Sequence, residues 1–144
     1  MIGHELHEFV DRVMDHHAID EADVKVLQRE ILNDIVITRD IVDVLIALDR
    51  AVPKSCEAFA DCLVALVVDF AVWANRPTGV IDRDKAHWLV TTLSAGEGPS
   101  PTAQRIAFEI VREAEHCDEL LLSFAFAKGA AKSARAAHRV LLAS

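Results

Sequence analysis

The stretch of residues 56–74 limits most strongly what this chain can fold into. Its side chains are apolar except for Glu57, Asp61 and Asp69. A surface helix shows one apolar stripe, whereas this stretch is apolar around most of its C-terminal half, as in a helix enclosed by neighbours. A membrane span needs about 20 apolar residues with few charges, and the acidic residues argue against one here. The stretch therefore predicts a buried central helix.

The composition predicts that other helices surround this central helix. A chain of 144 residues fits one domain and can bury enough surface to fold without disulfides or metals. With 5 glycines, 4 prolines and no tyrosine, it has little material for a β architecture rich in turns. We therefore expect an all-α fold, with one domain over residues 1–144.

The cysteines, the N-terminus and the net charge indicate a compartment and a class of partner. The three cysteines form no CxxC pair, which suits a reducing cytosol better than a disulfide framework. The N-terminus carries acids and histidines where a signal peptide has basic residues and an apolar core. The net charge of −8 argues against nucleic acid, because phosphate binding needs a clustered positive field. These features predict a cytoplasmic protein whose partner is another protein or a second copy of itself.

Capping and breaker signals divide the chain into about seven helices. The first begins near Leu6, and the others begin at polar side chains that can accept hydrogen bonds from the first helical turn. These predicted N-caps are Asp20, Thr38, Ser55, Asp82, Ser100 and Asp118. Pro53 ends the helix before the central one, and the breaker cluster of residues 76–79 ends the central helix.

The second half of the chain repeats the pattern of the first. Residues 18–59 match residues 80–121 in the order of caps, helices and loops, and some of the aligned pairs are identical. The identical pairs include Ile19 and Ile81, Asp20 and Asp82, Leu27 and Leu89, and Glu57 and Glu119. We therefore predict two pseudo-repeated halves, residues 18–75 and 80–127, around the central helix, followed by a basic C-terminal helix at residues 128–144.

This arrangement resembles the TerB-like family of tellurite-resistance proteins, whose all-helical domains consist of two such halves. Loops in that family often read Asp-Gly-x-Ile-Ser-x-x-Glu, and residues 34–41 here read Asp-Ile-Val-Ile-Thr-Arg-Asp-Ile. Asp34, Ile37 and the hydroxyl of Thr38 match, while isoleucines replace the glycine and the glutamate. The second half keeps only the cap Ser100. The resemblance implies the fold and a stress-response role, and the missing glutamate weakens any metal site that it implies.

Acidic residues near the loops give a divalent-metal site as an alternative. Asp34 and Asp40 flank the first loop, and Asp82 and Asp84 begin the helix after the second. An EF-hand needs alternating ligands, a central glycine and a bidentate glutamate, and no stretch supplies this set. Helix capping accounts for most of these acids, and an acidic site of another kind between the halves is the remaining alternative.

A further polar group lies on the first helix, where His4, Glu8, Asp11 and Asp15 recur on one face. The segment is not the zincin motif HExxH, because His4 and His7 are only three residues apart. Metal binding and a solvated helix face both fit this pattern, and the solvated face explains all of it.

Asp69 most needs an explanation, because it interrupts the most apolar part of the chain. We expect it to be buried, and a buried carboxylate must be paired or protonated. It is either a site acid beneath Trp73 and Trp88 or a structural partner of Arg76. In the first role, Asp69 and the loop acids would form a metal-binding or hydrolytic site.

The last segment of the chain is basic. Lys128, Lys132, Arg135 and Arg139 recur on one helical face, and no acidic residue follows Glu119. The segment carries a charge of +4, whereas residues 1–127 hold 11 basic and 23 acidic residues and carry −12. Three partners fit this segment: its own chain, a second subunit, or an anionic surface. Its alanine-rich face is too thin for strong membrane contact, which favours the first two.

These observations predict two functions from different classes. The first is a non-enzymatic interaction or sensing module of the stress-response type, which forms a homodimer through its basic C-terminal helix and needs no cofactor. The second is a divalent-metal-binding or hydrolytic domain that uses Asp69 and the loop acids. We favour the first, because the sequence places no nucleophile motif near these acids.

Overall fold

The fold of the chain is all-α, as the sequence predicts. A computed structural model describes residues 3–74, 76–96 and 98–126, which contain seven α-helices and four strands of only two residues. No helix in this described part of the chain is long and apolar enough to cross a membrane. The chain forms two compact units, residues 1–67 and 68–144, which we describe in turn.

The N-terminal unit begins with the amphipathic helix that the sequence predicts, in which Leu6, Phe9 and Val13 are buried. The elements of the unit are α1 (His4–His16), β1 (Ala18–Ile19), α2 (Glu21–Val26), a π-helical turn (Leu27–Ile31), a 3-10 turn (Leu32–Asp34), α3 (Arg39–Ala51), β2 (Lys54–Ser55) and α4 (Glu57–Val68). Strands β1 and β2 pair in parallel, with Ala18 opposite Lys54.

Two predicted caps hold the helices of this unit in place. The Asp20 carboxylate accepts from the backbone N–H of Asp23 at 2.8 Å, and the Asp23 carboxylate accepts from the N–H of Asp20 at 3.0 Å. This capping box lowers the pKa of the Asp20 carboxyl, chiefly through the hydrogen bond from Asp23. The Thr38 hydroxyl accepts from the N–H of Ile41 at 3.3 Å. The prediction that Ser55 caps the central helix is wrong, because Ser55 belongs to β2.

The C-terminal unit repeats this order of elements. They are a π-helical segment (Asp69–Ala74), β3 (Val80–Ile81), α5 (Arg83–Ser94), α6 (Pro101–Glu113), β4 (His116–Cys117) and α7 (Glu119–Phe124). The predicted caps Asp82, Ser100 and Asp118 are confirmed, because each accepts from an N–H in the first turn of its helix. Strands β3 and β4 pair in parallel. The basic segment of residues 128–144 lies outside the described residues.

The internal repeat is visible in the first and last residues of individual helices and strands. When Ile19 is aligned with Ile81, helices α3 and α6 begin and end at matching positions, and so do strands β1 and β3 and strands β2 and β4. The strands were not predicted, because two residues are too few to show the alternation of a strand. The order of these elements therefore repeats along the chain, while the bounds of the two halves stay a prediction. The compact units divide at residue 67, within the central helix, whereas the predicted halves divide at residues 76–79.

The central helix, formed by α4 and the π-helical segment after it, is largely buried but not on every side. Phe59, Leu63, Val67 and Ala71 are each 1% exposed or less. Every fourth residue is exposed, however, and these residues form one stripe along the helix. The stripe consists of Glu57, Asp61, Ala65, Asp69 and Trp73. The expectation of a helix enclosed on all sides is therefore wrong.

Candidate functional site

Asp69 lies on the exposed stripe of the central helix, so the prediction that it is buried is wrong. Its carboxylate faces water and therefore needs no buried partner. Trp73, four residues further on, is 42% exposed and donates from its indole Nε1 to Glu113 Oε1 at 3.2 Å. Trp88 contacts Phe70 edge to face, with 5.8 Å between the ring centroids. Asp69 is thus not a buried site acid beneath the two tryptophans.

The loop acids that the sequence offers as metal ligands lie at the ends of helices. Asp82 is the N-cap of α5, and Asp84 lies in the first turn of the same helix. Asp40 lies in the first turn of α3, and Asp34 ends the 3-10 turn. Among residues 3–74, 76–96 and 98–126, no three His, Cys, Asp or Glu side chains form a group that could hold a metal ion. Divalent-metal binding stays a prediction, with no site assembled in this part of the chain.

The polar face of α1 consists of exposed pairs one turn apart. His4 Nε2 lies 2.9 Å from Glu8 Oε1, and His7 Nε2 lies 3.4 Å from Asp11 Oδ2. All four side chains are at least 64% exposed, which supports the interpretation of a solvated face. The helix ends at His16, and the next residue, His17, has a left-handed φ of 56°, as expected just after a helix C-terminus.

An open groove lies between α1 and the π-helical turn Leu27–Ile31 in the N-terminal unit. Its main cavity has a volume of about 610 Å³. A second cavity of about 320 Å³ adjoins it and shares Glu5 and Ile31 in its lining. The apolar floor of the main cavity consists of Phe9, Val26 and Ile31. The rim carries Glu5, Glu8, Glu30, Arg12 and Arg29. We call the two cavities together the α1 groove.

The α1 groove has an acidic rim, because one of its two arginines is already paired. The Arg12 guanidinium lies over the Phe9 ring, with Cζ 5.4 Å from the centroid, and Nη2 is 3.2 Å from Asp23 Oδ1. Asp23 lies outside the rim and offsets the charge of Arg12. The rim therefore carries three carboxylates and Arg29, and one of the carboxylates, that of Glu8, lies 2.9 Å from His4 Nε2. The surrounding sequence is acidic too, since residues 1–67 hold 14 acidic and 6 basic residues and carry −8.

The π-helical turn that forms one wall of the groove is present in only one of the two halves. Leu27–Ile31 is π-helical, whereas residues 89–93, its counterparts in the internal repeat, are α-helical within α5. The turn contributes Arg29, Glu30 and Ile31 to the groove. Short π-helical turns are uncommon and often occur at functional sites. The second half of the repeat thus does not reproduce the π-helical wall of the groove.

Lys85 is a buried residue that sequence reasoning missed. Its side chain is 1% exposed. Its ammonium donates to the backbone carbonyls of Ala71 at 2.9 Å, Pro77 at 2.6 Å and Val80 at 2.9 Å. Carbonyl oxygens are suitable acceptors for the N–H groups of an ammonium. We call these three carbonyls the carbonyl cage.

One sequence signal could have revealed this role of Lys85. A cation in the first turn of a helix is unfavourable, because the N-terminus of the helix is itself positive. A lysine at this position therefore suggests a compensating partner, and the loop before α5 supplies carbonyls. The counterpart of Lys85 in the internal repeat is Asp23, a residue type that suits a helix N-terminus. The two halves differ in charge at this position.

The cysteines are poorly suited to nucleophilic chemistry. Burial raises the pKa of the Cys62 thiol, and a hydrogen bond with Gln28 lowers it by a smaller amount. Burial, with a smaller contribution from the charge of Asp118, raises the pKa of the Cys117 thiol from 9.0 to about 11. Both thiols are therefore protonated near neutral pH, and a protonated thiol is a poor nucleophile.

Comparison with known proteins identifies no relative of the chain. No protein-family model, no curated protein and no solved structure matches the chain. The resemblance to TerB-like proteins therefore depends on the repeat and on the loop residues 34–41.

Proposed function

We propose that the protein is a non-enzymatic interaction module of the TerB-like, stress-response type, which acts in the cytoplasm and self-associates. One observation carries this proposal: the two ends of the chain have opposite charge. Residues 1–67 carry −8, and the segment of residues 128–144 carries +4 without a single acid. Opposite charges in two parts of one chain favour contact between copies, because they attract the copies and orient them.

The exposed side chains support a surface for protein contact. On α1, Glu5, Glu8, Asp11 and Asp15 are all exposed, so their charges are available to a partner. In the C-terminal unit, Phe108 and Phe126 are 44% and 50% exposed. Their rings contact each other edge to face at 6.0 Å. Exposed aromatic residues are enriched at protein interfaces, and a basic segment follows this pair directly in the chain.

The cysteines agree with a reducing compartment. Cys56, Cys62 and Cys117 are all free thiols, although three cysteines would permit one disulfide. The acidic surface favours a protein partner over nucleic acid, whose phosphates it would repel.

Sedimentation velocity over a range of protein concentrations tests the proposal. We expect a dimer that forms with rising concentration and dissociates with added salt, because salt screens exposed charges. A variant with Lys128, Lys132, Arg135 and Arg139 changed to glutamine is expected to stay monomeric.

The matched control changes four exposed basic residues of the described part of the chain to glutamine, which alters the net charge by the same amount. These residues are Lys25, Lys54, Arg76 and Arg105. The control is expected to dimerise more strongly than the C-terminal variant. A monomer at every concentration, or equal dimerisation of the two variants, would refute the proposal.

A further inference from the structure

We infer that the α1 groove of one chain binds the basic segment of residues 128–144 of a second chain. This inference rests on the proposed self-association and names the surface that performs it. The groove combines what such a segment requires: an apolar floor at Phe9, Val26 and Ile31 and a rim with three carboxylates. The reciprocal arrangement, in which each chain gives its segment and receives the other, closes a symmetric dimer.

The dimensions of the groove and of the segment agree. Along α1 the lining of the groove extends from Gly3 to Arg12, and nine residues of α-helix span about 14 Å. Lys128 and Arg139 are eleven residues apart, which corresponds to about 17 Å in the helix that the sequence predicts there. The four basic residues of the segment therefore span the whole groove and extend about 3 Å beyond it.

The charges of the groove select a basic occupant. Arg12 is engaged by Asp23 at 3.2 Å. The carboxylates of Glu5, Glu30 and Glu8 line the groove together with Arg29, and Glu8 lies 2.9 Å from His4 Nε2. An acidic peptide or a nucleic acid would meet like charges at this rim. The segment of residues 128–144 has four cations and no acid, so every charge that it brings is complementary to the carboxylates.

The small side chains of the segment suit the apolar floor. Five alanines, at positions 130, 131, 134, 136 and 137, lie between the basic residues. Alanine lets a helix backbone approach a surface closely, while the longer lysine and arginine side chains reach to the rim. The recognition mode is that of a helix in a groove, with charges that set its register.

A charge swap in the full-length chain tests the inference. The groove variant carries Glu5→Lys and Glu8→Lys, and the segment variant carries Lys132→Glu and Arg135→Glu. Each variant alone places like charges together, so we expect the homodimer dissociation constant of each to rise by about tenfold or more. In an equimolar mixture both contacts are complementary again, so a heterodimer is expected to form with an affinity close to that of the unmodified homodimer.

The matched control is Asp11→Lys with Asp15→Lys, which makes the same charge change on α1 outside the lining of the groove. We expect its dissociation constant to change less than about threefold. Far-ultraviolet circular dichroism of every variant checks that it is folded, and formation of the heterodimer shows this independently.

The outcomes separate this inference from the proposed function. If the unmodified chain dimerises but the groove variant does so equally well, the inference is wrong and self-association stands. If both variants lose their homodimers and the mixture forms no heterodimer, the pairing of groove and segment is wrong. If the unmodified chain is monomeric at every concentration, both the inference and the proposed function are refuted.

Discussion

Replacing Lys85 with methionine removes the ammonium from the carbonyl cage but keeps an unbranched side chain of similar length. The change breaks at least three hydrogen bonds, at 2.6, 2.9 and 2.9 Å, inside a site where the lysine is 1% exposed. Hydrogen bonds to charged groups contribute about 1.5–3 kcal/mol each. The cost of taking the ammonium out of water, several kcal/mol, offsets a large part of that sum.

We therefore expect Lys85→Met to lower the free energy of unfolding by about 3 kcal/mol, because three carbonyls lose their partner. In a chain of this size, each kcal/mol lowers the melting temperature by about 2–4 °C, which gives a decrease of about 6–12 °C. Circular dichroism melts of the parent and the variant measure this directly. The control is Lys25→Met, which removes an exposed lysine and is expected to change stability by less than about 0.5 kcal/mol.

Hydrogen exchange locates the effect of Lys85→Met. The N–H of Gly79 donates to Val72 O at 2.6 Å, and the N–H of Glu115 donates to Gly79 O at 2.7 Å. Both bonds involve the loop that supplies the carbonyl cage, so both amides are expected to exchange faster in the variant. If Lys85→Met melts within about 2 °C of the parent and leaves these amides protected, the cage does not stabilise the loop and our account of Lys85 is wrong.

Two further predictions concern the same unit. Gly79 has a φ of +76°, and an added Cβ would lie 2.9 Å from Glu115 Oε1, so Gly79→Ala is expected to cost about 1–2 kcal/mol in a denaturant titration. In a Glu115→Ala background the close contact is absent, so the loss of stability on Gly79→Ala measures the left-handed strain alone. If Gly79→Ala costs no stability in either background, the prediction is wrong. Cys117, with its pKa raised from 9.0 to about 11, is expected to react with iodoacetamide at pH 8 about 100-fold more slowly than an ordinary thiol. Because the raised pKa favours the neutral thiol in the folded state, the contribution of Cys117 to stability is present below pH 9 and is lost between pH 9 and about 11. Peptide mass spectrometry after timed alkylation measures the rate of the reaction with iodoacetamide. A rate equal to that of the unfolded chain would contradict the raised pKa.

Local chemistry made most helix boundaries predictable from the sequence. Asp20, Thr38, Asp82 and Ser100 cap helices in the structure because a short polar side chain before an apolar periodic run can satisfy the N–H groups of the first turn. Ser55 has the same chemistry but pairs in a strand, which depends on a partner strand far away in the sequence, at Ala18–Ile19. Caps follow from local sequence, whereas short parallel strands follow from the tertiary fold.

The sequence did not predict the exposed stripe on the central helix, because apolar residues form part of it. Ala65 and Trp73 are apolar and nevertheless exposed, so only Glu57, Asp61 and Asp69 marked that face in the sequence. Three acids within residues 56–74 do not outline a polar face, and Asp69 therefore appeared to be buried. Periodicity detects an exposed face only when polar residues occupy most of it.

The candidate site was predictable only in part. The acidic face of α1 and the basic C-terminal segment follow from charge spacing alone. The groove also requires the π-helical turn Leu27–Ile31, and no residue pattern distinguishes this turn from the α-helical residues 89–93 of the other half. The carbonyl cage likewise gathers Ala71, Pro77 and Val80, which only the folded loop brings together.

Native mass spectrometry of the unmodified, full-length protein tests the central claim most directly, because one spectrum reports the number of subunits and any bound metal. We predict a species of about twice the 15.8 kDa chain mass, whose share rises with protein concentration and falls with the concentration of ammonium acetate. A monomer as the sole species at every concentration, in low salt as in high, would contradict the account.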